Sequence, residues 1–326
     1  CFFHVLRILI YIFVLKEYYN NFKIQKNNKV YLLPELPEVE TVSRGLKFKI
    51  VGKKISKYQQ FREDLRWPIP TCMKELIEGT IIKSIGRRGK FLLINLDVDY
   101  TIIIHLGMSG RLLIYNPFDK YRKPSKEKEM GVFLHTLVKL GKHDHIKIDF
   151  DDGSQMVFND VRRFGAIDLI RSEKLFFHKW LSKLGPEPLS NNFSSQVLQK
   201  KIKNKKCSIK AAILDQGIVS GVGNIYACEA LWEAKISPFK ICSKMTDQDY
   251  YSLVKELRNV LKKAINSGGS SLKDFKATGG ELGYFQNLLS VYSRERLNCK
   301  RVLCKGKIKR KVQSGRSTFF CINCQS

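Results

Sequence analysis

Apolar residues change their spacing along this chain, and the change predicts two kinds of structure. Between residues 50 and 170 they form short runs and alternating stretches, which are typical of strands. The clearest are FLLINL (91–96), TIIIHL (101–106), HIKIDF (145–150) and QMVF (155–158). Asp151-Asp152-Gly153 separates the last two stretches and predicts a tight turn. We therefore predict a β-sandwich or a barrel for this part of the chain.

The second half of the chain has helical spacing. The change falls at LGPEP (184–188), whose two prolines cannot lie inside regular elements. Beyond it, Ser194 or Ser195 can cap one helix and Thr246 can cap another. An apolar stripe along the second helix ends before Gly268 and consists of Leu253, Val254, Leu257, Val260, Leu261 and Ile265. We interpret this stripe as core packing.

The first fifteen residues (CFFHVLRILIYIFVL) are almost wholly apolar. They are shorter than the ~20 residues that a membrane-spanning helix needs, Arg7 interrupts them, and no clear signal-peptide cleavage site follows. The chain starts with Cys1, and residues 16–32 are rich in amino acids with AT-rich codons. These features indicate either a fragment or an over-extended reading frame. In the second case residues 1–33 would be an extension that the mature protein lacks, and a membrane anchor is the alternative.

The charge of the chain indicates a polyanionic partner. With 58 Lys+Arg against 30 Asp+Glu, the net charge is +28, while 44% hydrophobic residues exclude a disordered polycation. Nucleic acid is the first choice of partner and an anionic membrane surface the second. An enzyme with an acidic substrate and a surface that serves solubility alone are further alternatives. A length of 326 residues is typical of about two domains.

Four of the nine cysteines fall near the C-terminus in the pattern C-x4-C-x16-C-x2-C. They are Cys299, Cys304, Cys321 and Cys324. Paired thiolates at this spacing can hold zinc, which would stabilise a segment too small for its own core; two disulfides are the alternative. The other cysteines show no pairing pattern and suit a reducing cytosol, which favours the metal. Residues 294–326 also carry ten Lys/Arg against one acid, a charge suited to phosphates.

An unusual segment, PELPEVETV (34–42), combines two prolines and three acids with the start of a helix. It resembles the mature N-terminus of bacterial formamidopyrimidine-DNA glycosylase, also called 8-oxoguanine DNA glycosylase or MutM. The resemblance runs from Pro34 to the C-terminus. Further motifs of the family follow in order: LRWPIP (65–70), RRGK (87–90), HLGMSG (105–110), KHDH (142–145), RRFGA (162–166), LGPEPL (184–189), GVGNIYA (221–227), GGSSLKDF (268–275) and QSGRSTFFC (313–321).

The resemblance implies an α+β fold of two domains. An N-terminal β-sandwich with flanking helices would be followed by a C-terminal helical domain with a helix-two-turn-helix, ending in a β-hairpin zinc finger. The boundaries it implies are an extension at 1–33, the catalytic domain at 34–182, a hinge at 183–190, the helix-two-turn-helix domain at 191–292 and the zinc finger at 293–326.

The resemblance also implies a bifunctional DNA glycosylase and AP lyase acting on oxidised purines. Pro34 would be the nucleophile and Schiff-base former, because an unprotonated α-amine can attack C1′ of the nucleotide. Glu35 would be the general acid/base, and Glu38 would help to position the substrate. Lys90 matches the family's proton donor in β-elimination, and Arg316 matches the arginine assigned to δ-elimination.

Its implied partner is double-stranded DNA containing oxidised purines, bound by a monomer in the bacterial cytoplasm. Met108, Arg162 and Phe164 would fill the void left by the extruded base, and the loop 268–285 would close over that base. The implied DNA contacts are His143, Arg162, Lys205 and Asn224. One structural Zn²⁺ would bind Cys299, Cys304, Cys321 and Cys324. The resemblance implies no small-molecule cofactor and no stable membrane partner.

Two features depart from the family pattern. Leu33 precedes Pro34 and 32 residues precede Leu33, so the nitrogen of Pro34 would be an unreactive amide if the chain were translated as written. We expect translation to start at codon 33, at a UUG read as Leu; proteolysis of the extension is the alternative. The family usually has C-x2-C where this chain has Cys299-x4-Cys304. Cys299 is therefore the predicted zinc ligand whose position differs from the family pattern.

Other functions remain open at this point. The sibling alternative is an endonuclease VIII-like enzyme that removes oxidised pyrimidines, but PELPEVE and the set of Met108, Arg162 and Phe164 favour the purine enzyme. A catalytically inactive DNA-binding protein with a blocked N-terminus is an alternative from a different class. A membrane-tethered form of the protein is the last alternative.

Overall fold

The computed structural model describes residues 34–116, 141–269 and 285–325. All of these belong to one compact unit, Leu33–Ser326. The extension predicted at 1–33, with its alternative of a membrane anchor, lies outside the described residues. So does most of the loop predicted to close over the base, residues 270–284.

The elements before residue 183 are mainly strands. In chain order they are α1 (Leu36–Ile50), β1 (Ile55–Gln60), α2 (Met73–Ile77), β2 (Ile82–Arg88), β3 (Phe91–Leu96), β4 (Tyr100–His105), β5 (Gly110–Tyr115), β6 (Asp144–Phe150), β7 (Gln155–Asp160), β8 (Ala166–Arg171) and a 3-10 helix (Ser172–Phe177). β6 and β7 are joined by the predicted turn, where Gly153 has a φ of +80°. Only the ends of the predicted strands differ from the observed ones, by a residue or two.

Two four-stranded antiparallel sheets pack face to face. One has the order β1-β6-β7-β5 and the other β2-β3-β4-β8. Ile94 and Ile104 of one sheet and Leu112 and Phe158 of the other line one internal cavity of about 10 Å³, so the core between the sheets is closely packed. The predicted β-sandwich is confirmed, and the barrel is excluded.

The elements after residue 190 are mainly helices. They are α3 (Ser195–Ile202), α4 (Ile209–Leu214), α5 (Asn224–Glu233), a 3-10 helix (Cys242–Lys244), α6 (Asp247–Asn266), a 3-10 helix (Phe285–Asn287), β9 (Ile308–Gln313) and β10 (Arg316–Cys321). Oγ of Ser194 accepts the N–H of Val197 at 3.3 Å, and Oγ1 of Thr246 accepts the N–H of Asp249 at 3.2 Å. Ser194 rather than Ser195 is therefore the first cap, and the cap predicted at Thr246 is confirmed.

α4, a turn and α5 form the predicted helix, glycine-marked turn and helix. α1 contacts β2 of the sandwich and α6 of the helical part, so the first helix lies where the two halves meet. β9 and β10 form an antiparallel hairpin with Arg316 paired to Gln313 across its turn. The α+β class, with a sandwich first and helices and a hairpin after it, is confirmed. No helix among the residues listed above has the length and apolarity needed to cross a membrane.

Candidate active site

The N-terminus of α1 is the point where the predicted catalytic residues meet the helical half. The backbone N–H of Glu35 donates to Oε2 of Glu38 at 2.9 Å, and the hydroxyl of Tyr226 on α5 donates to Oε1 of Glu38 at 2.5 Å. The backbone N–H of Leu36 donates to the carbonyl of Gly221 at 3.0 Å. α1 therefore begins against the turn that precedes α5.

Glu35 is a buried carboxyl group, with 2% of its surface exposed. Its Oε1 accepts the backbone N–H of Ile225 at 3.0 Å, and its Oε2 accepts that of Tyr226 at 3.4 Å. Burial raises the pKa of Glu35 to about 7; Lys90 and the two N–H groups oppose the rise, and Glu38 adds to it. A carboxyl group with this pKa can hold or release a proton near neutral pH, as a general acid or base must.

Two glycines make room for the start of α1. A Cβ on Gly223 would lie 2.2 Å from Cδ of Glu35, well inside van der Waals contact. Gly221 has a φ of +81°, and a Cβ there would lie 2.7 Å from Cδ1 of Leu36. The close approach of Glu35 to Ile225 therefore depends on the absence of a side chain at position 223.

Lys90 lies in the turn that joins β2 to β3. Burial lowers the pKa of Lys90, Glu35 and Glu38 raise it, and Arg316 lowers it. The charges of Glu35, Glu38 and Arg316 therefore lie within electrostatic range of Lys90. Pro34 is buried next to Glu35. The structure therefore places the four predicted catalytic residues in one region, where α1, the β2–β3 turn and the hairpin meet.

The turn that carries Lys90 is bound by Glu187. Oε1 of Glu187 accepts the N–H of Gly89 at 2.6 Å and Nη1 of Arg88 at 3.0 Å, and Oε2 pairs with Nη2 of Arg87 at 2.8 Å. Burial by itself would raise the pKa of Glu187, but Arg87, the N–H of Gly89 and Arg88 together hold it below its usual range. Because Glu187 belongs to the predicted hinge, the hinge fixes the turn that presents the lysine.

An open cavity of about 490 Å³ lies beside Lys90. Phe91, His105 and Trp180 form an aromatic part of its wall. Burial lowers the pKa of His105 to about 4, and the charges of Lys90 and Arg66 lower it as well, so this ring is neutral at pH 7. The cavity therefore combines an ammonium group with an uncharged aromatic wall.

The β9–β10 hairpin is bound to both α4 and α5. Nδ2 of Asn224 donates to the carbonyl of Ser317 at 2.8 Å, and Nζ of Lys210 donates to Oγ1 of Thr318 at 2.7 Å. Arg316, the residue before Ser317, is exposed at the start of β10. Asn224 therefore positions the strand that carries Arg316, a contact in addition to the DNA contact predicted for it.

The three predicted void-filling residues lie on two adjoining loops. A Cβ on Gly107 would lie 2.3 Å from the backbone carbon of Phe164, so the turn that carries Met108 touches the loop of Phe164. The guanidinium of Arg162 lies 5.1 Å from the ring centroid of Phe164, whose side chain is 43% exposed. The structure brings Met108, Arg162 and Phe164 together at the surface of the sandwich.

The remaining predicted DNA contacts lie on different halves of the molecule. The carbonyl of His143, just before β6, accepts the N–H of Asp160 at 3.0 Å, close in sequence to the loop of Arg162. Lys205 is exposed in the turn after α3, and its carbonyl accepts the N–H of Ser243 at 3.2 Å. His143 therefore adjoins the void-filling residues, whereas Lys205 belongs to the helical half.

The four C-terminal cysteines converge although they come from two separate segments. The sulfur atoms of Cys299, Cys304, Cys321 and Cys324 all lie within 4.8 Å of one another. The indole N–H of Trp232 donates to Sγ of Cys299 at 3.3 Å. Four thiolates in one cluster can hold a metal ion, and the C-x4-C spacing does not prevent Cys299 from joining it.

Comparison with known proteins shows which family the chain belongs to. The chain matches the models of the formamidopyrimidine-DNA glycosylase N-terminal domain over residues 33–167 and of the formamidopyrimidine-DNA glycosylase H2TH domain over residues 184–276. The chain belongs to the formamidopyrimidine-DNA glycosylase family. The formamidopyrimidine-DNA glycosylases of Dinoroseobacter shibae and of a Ruegeria species are 47% and 46% identical to it over 293 residues, which are 90% of this chain and 100% of each relative.

Solved structures of this family have the same fold. One is a complex of wild-type Lactococcus lactis Fpg (MutM) with DNA containing N7-benzyl-Fapy-dG, with a TM-score of 0.78 and 33% identity. Another is MutM in complex with DNA containing carbocyclic 8-oxo-G, with a TM-score of 0.77 and 34% identity. Each covers 90% of this chain and 100% of the matched chain. The family predicted from the motifs is confirmed.

Two buried charged residues of this chain were not found from the sequence. Lys210 is only 1% exposed. The carboxylate of Glu229 accepts the backbone N–H groups of Ser290, Val291 and Tyr292 at 2.8–2.9 Å, which fixes the chain that leads into the hairpin. Lys210 and Glu229 lie on the apolar faces of α4 and α5, where burying an unpaired charge costs free energy. A charged residue among apolar ones was therefore the sequence signal that could have identified them.

Proposed function

We propose that this chain is a base-excision-repair DNA glycosylase and AP lyase that removes oxidised purines, such as 8-oxoguanine and formamidopyrimidines, from duplex DNA. The observation that carries the proposal is the buried Glu35 carboxyl, with a pKa raised to about 7, directly beside Pro34 and near Lys90. Its relatives supply the substrate class, since the solved neighbours hold DNA with N7-benzyl-Fapy-dG or carbocyclic 8-oxo-G.

In the first step of the proposed reaction, the free secondary amine of Pro34 attacks C1′ of the damaged nucleotide. The bond from C1′ to the base breaks, and the base leaves with the bonding electrons and a proton. Protonated Glu35 gives its proton to the ring oxygen as the sugar opens, which leaves a positively charged iminium between Pro34 and C1′. The low-dielectric surroundings of Glu35 favour its protonated form before this step.

In the second step, the iminium makes the C2′ proton acidic. Loss of that proton and departure of the 3′ phosphate give β-elimination, and a second loss of a proton with departure of the 5′ phosphate gives δ-elimination. Lys90 would serve as proton donor in β-elimination and Arg316 would assist δ-elimination. Support for these roles comes from the charges of Glu35 and Arg316, which both act on the pKa of Lys90.

Base extrusion requires groups that replace the lost base in the stack. We assign this role to Met108, Arg162 and Phe164, because an exposed aromatic ring beside a guanidinium suits insertion between bases and contact with an orphaned cytosine. His143, Arg162, Lys205 and Asn224 would bind the DNA. A net charge of +28 supports a polyanionic partner for this surface.

The proposal includes one structural Zn²⁺ on Cys299, Cys304, Cys321 and Cys324. A bound zinc ion supplies folding free energy to a hairpin that has little core of its own. The convergence of four thiols supports the assignment, since thiolates are preferred ligands of zinc. The residues of the hairpin then hold Arg316 in place through Ser317 and Thr318.

We also propose the domain layout and location that the family implies. The mature enzyme would begin at Pro34, with a catalytic domain at 34–182, a hinge at 183–190, a helix-two-turn-helix domain at 191–292 and a zinc finger at 293–326. The curated relatives support this start, since they match 293 residues and residues 34–326 also number 326 − 33 = 293. The location would be cytoplasmic, on nucleoid DNA, as a monomer.

The substrate class is tested by incubating the chain 34–326 with end-labelled duplexes. One duplex carries 8-oxoguanine opposite cytosine, a second 8-oxoguanine opposite adenine, and a third an oxidised pyrimidine. We expect strand cleavage mainly of the first duplex, leaving phosphate on both sides of the gap, as β,δ-elimination requires. Faster cleavage of the pyrimidine duplex would favour the endonuclease VIII-like alternative, and binding without cleavage would favour the inactive DNA-binding protein.

A further inference from the structure

Two cysteines outside the four-cysteine cluster lie side by side at the start of α4. The sulfur atoms of Cys207 and Cys242 are 4.0 Å apart. The backbone N–H of Cys242 donates to the carbonyl of Cys207 at 3.0 Å, and the adjacent residues Ser208 and Ile241 form an antiparallel bridge. The two cysteines therefore occupy directly opposed positions of a short antiparallel pair.

The backbone at this pair has the spacing that a disulfide needs. Opposed residues in a hydrogen-bonded antiparallel position have Cα atoms about 5.5 Å apart. Disulfides span Cα distances of about 4.4–6.8 Å. The antiparallel pairing of Cys207 and Cys242 is therefore compatible with a disulfide, and their sulfur atoms already lie 4.0 Å apart.

The two sulfurs differ in their access to solvent. Cys207 is exposed, whereas Cys242 is fully buried. Burial, together with the neighbouring Cys207 thiol, raises the pKa of Cys242 to about 12. An oxidant in solution therefore meets Cys207 first, with Cys242 behind it.

We propose that Cys207 and Cys242 form a reversible disulfide when hydroperoxides oxidise the protein. The Cys207 thiolate attacks the peroxide, the O–O bond breaks, and Cys207 becomes a sulfenic acid with release of hydroxide. The sulfur of Cys242 then attacks the sulfur of Cys207, the S–O bond breaks, and water leaves with the thiol proton. A cellular dithiol restores both thiols by exchange.

The location of the pair gives the disulfide a protective role. Oγ of Ser208, next to Cys207, accepts the N–H of Ala211 at 3.4 Å as the cap of α4 and also accepts Nε2 of Gln313 from the hairpin at 2.6 Å. Irreversible oxidation of Cys207 to a sulfinic acid would add a negative charge there. Closing the disulfide instead removes the reactive sulfur and leaves the cap and the hairpin contact in place.

The test treats the zinc-loaded full-length protein with hydrogen peroxide and maps its peptides under non-reducing conditions. We expect one peptide pair linked through Cys207 and Cys242, lighter by two hydrogen atoms than the separate peptides and released by dithiothreitol. Cys72, an exposed cysteine of the sandwich half, should instead gain oxygen atoms. Zinc content, measured on the same sample, should stay unchanged, which separates this reaction from oxidation of the cluster.

Variants make the test decisive. Cys242→Ser should convert Cys207 from a protected to an unprotected thiol, so that it gains two or three oxygen atoms at peroxide doses that only cross-link the parent protein. Cys207→Ser should abolish the linked peptide, and the matched control Cys72→Ser should retain it. The proposal is overturned if the folded parent protein accumulates sulfinic acid at Cys207, or leaves Cys207 unmodified, at doses that oxidise Cys72.

Discussion

Oε1 of Glu35 accepts the backbone N–H of Ile225 at 3.0 Å, although the two residues are 190 positions apart. The carboxyl group stands before the first helix of the sandwich half, and the N–H belongs to the first turn of α5. The proposed general acid is therefore positioned by the helical domain as well as by its own. Both halves must be folded and docked for this proton to be held in place.

Glu35→Gln should lower the rate of base excision because glutamine keeps the size and an acceptor oxygen but cannot donate the catalytic proton. General acid catalysis is worth about 100-fold or more, so we expect a loss of at least that size in single-turnover excision from 8-oxoguanine duplex. Affinity for a duplex with an abasic-site analogue should be unchanged. Glu63→Gln, at an exposed position, is the matched control. An unaltered excision rate in Glu35→Gln would remove Glu35 from the mechanism.

The raised pKa of Glu35 also makes a prediction about stability. An acid whose pKa rises from 4.5 to about 7 on folding binds more protons in the native state between these values, so its contribution to the free energy of unfolding falls as the pH rises through them. The full effect of such a shift is about 3 kcal/mol. Urea unfolding of the parent and of Glu35→Gln should therefore show the variant gaining relative stability from pH 4.5 to pH 7. A pH-independent difference would show that the pKa is not raised.

Gly223→Ala should disable the site without touching a catalytic side chain. The new Cβ would lie 2.2 Å from Cδ of Glu35, so the carboxyl group must leave the N–H of Ile225. We expect excision to fall as far as in Glu35→Gln. Gly86→Ala is the control, since a Cβ there meets only Leu93 Cβ at 4.0 Å. Equal activities of the two alanine variants would refute the steric account.

Zinc analysis tests the cysteine cluster and its altered spacing. The purified protein should contain one zinc ion per chain, and Cys299→Ser and Cys304→Ser should each lose it, because all four sulfurs lie within 4.8 Å. Cys72→Ser should keep the metal. Strand cleavage should fall with zinc content, since the hairpin carries Arg316. Full zinc retention by Cys299→Ser would mean that Cys299 is not a zinc ligand.

Local patterns in the sequence predicted much of this fold. Alternation at 145–150 followed by Asp151-Asp152-Gly153 predicted β6, β7 and their turn, because side-chain period and turn chemistry act over a few residues. The caps at Ser194 and Thr246 were predictable for the same reason. The cysteine cluster followed from the number and spacing of thiols, which the structure brings within metal-binding distance.

The hydrogen bonds that join distant segments at the site were not predictable from local patterns. The hydrogen bond from Ile225 to Glu35 joins segments that no local pattern relates, and the raised pKa arises only when both are folded together. The same holds for Glu229, whose carboxylate binds three N–H groups about sixty positions later. The family resemblance named Pro34, Glu35, Lys90 and Arg316, but the physical reason for their proximity comes from tertiary structure.

Borohydride trapping tests the central claim most directly. The chain 34–326, with Pro34 at its N-terminus, is incubated with a duplex that contains 8-oxoguanine opposite cytosine, reduced with sodium borohydride and digested. The account predicts one covalent protein–DNA adduct, on the peptide that begins with Pro34, and no adduct for the chain 1–326, whose Pro34 nitrogen is an amide. Binding of the duplex by 34–326 without an adduct, or an adduct on a lysine, would contradict it.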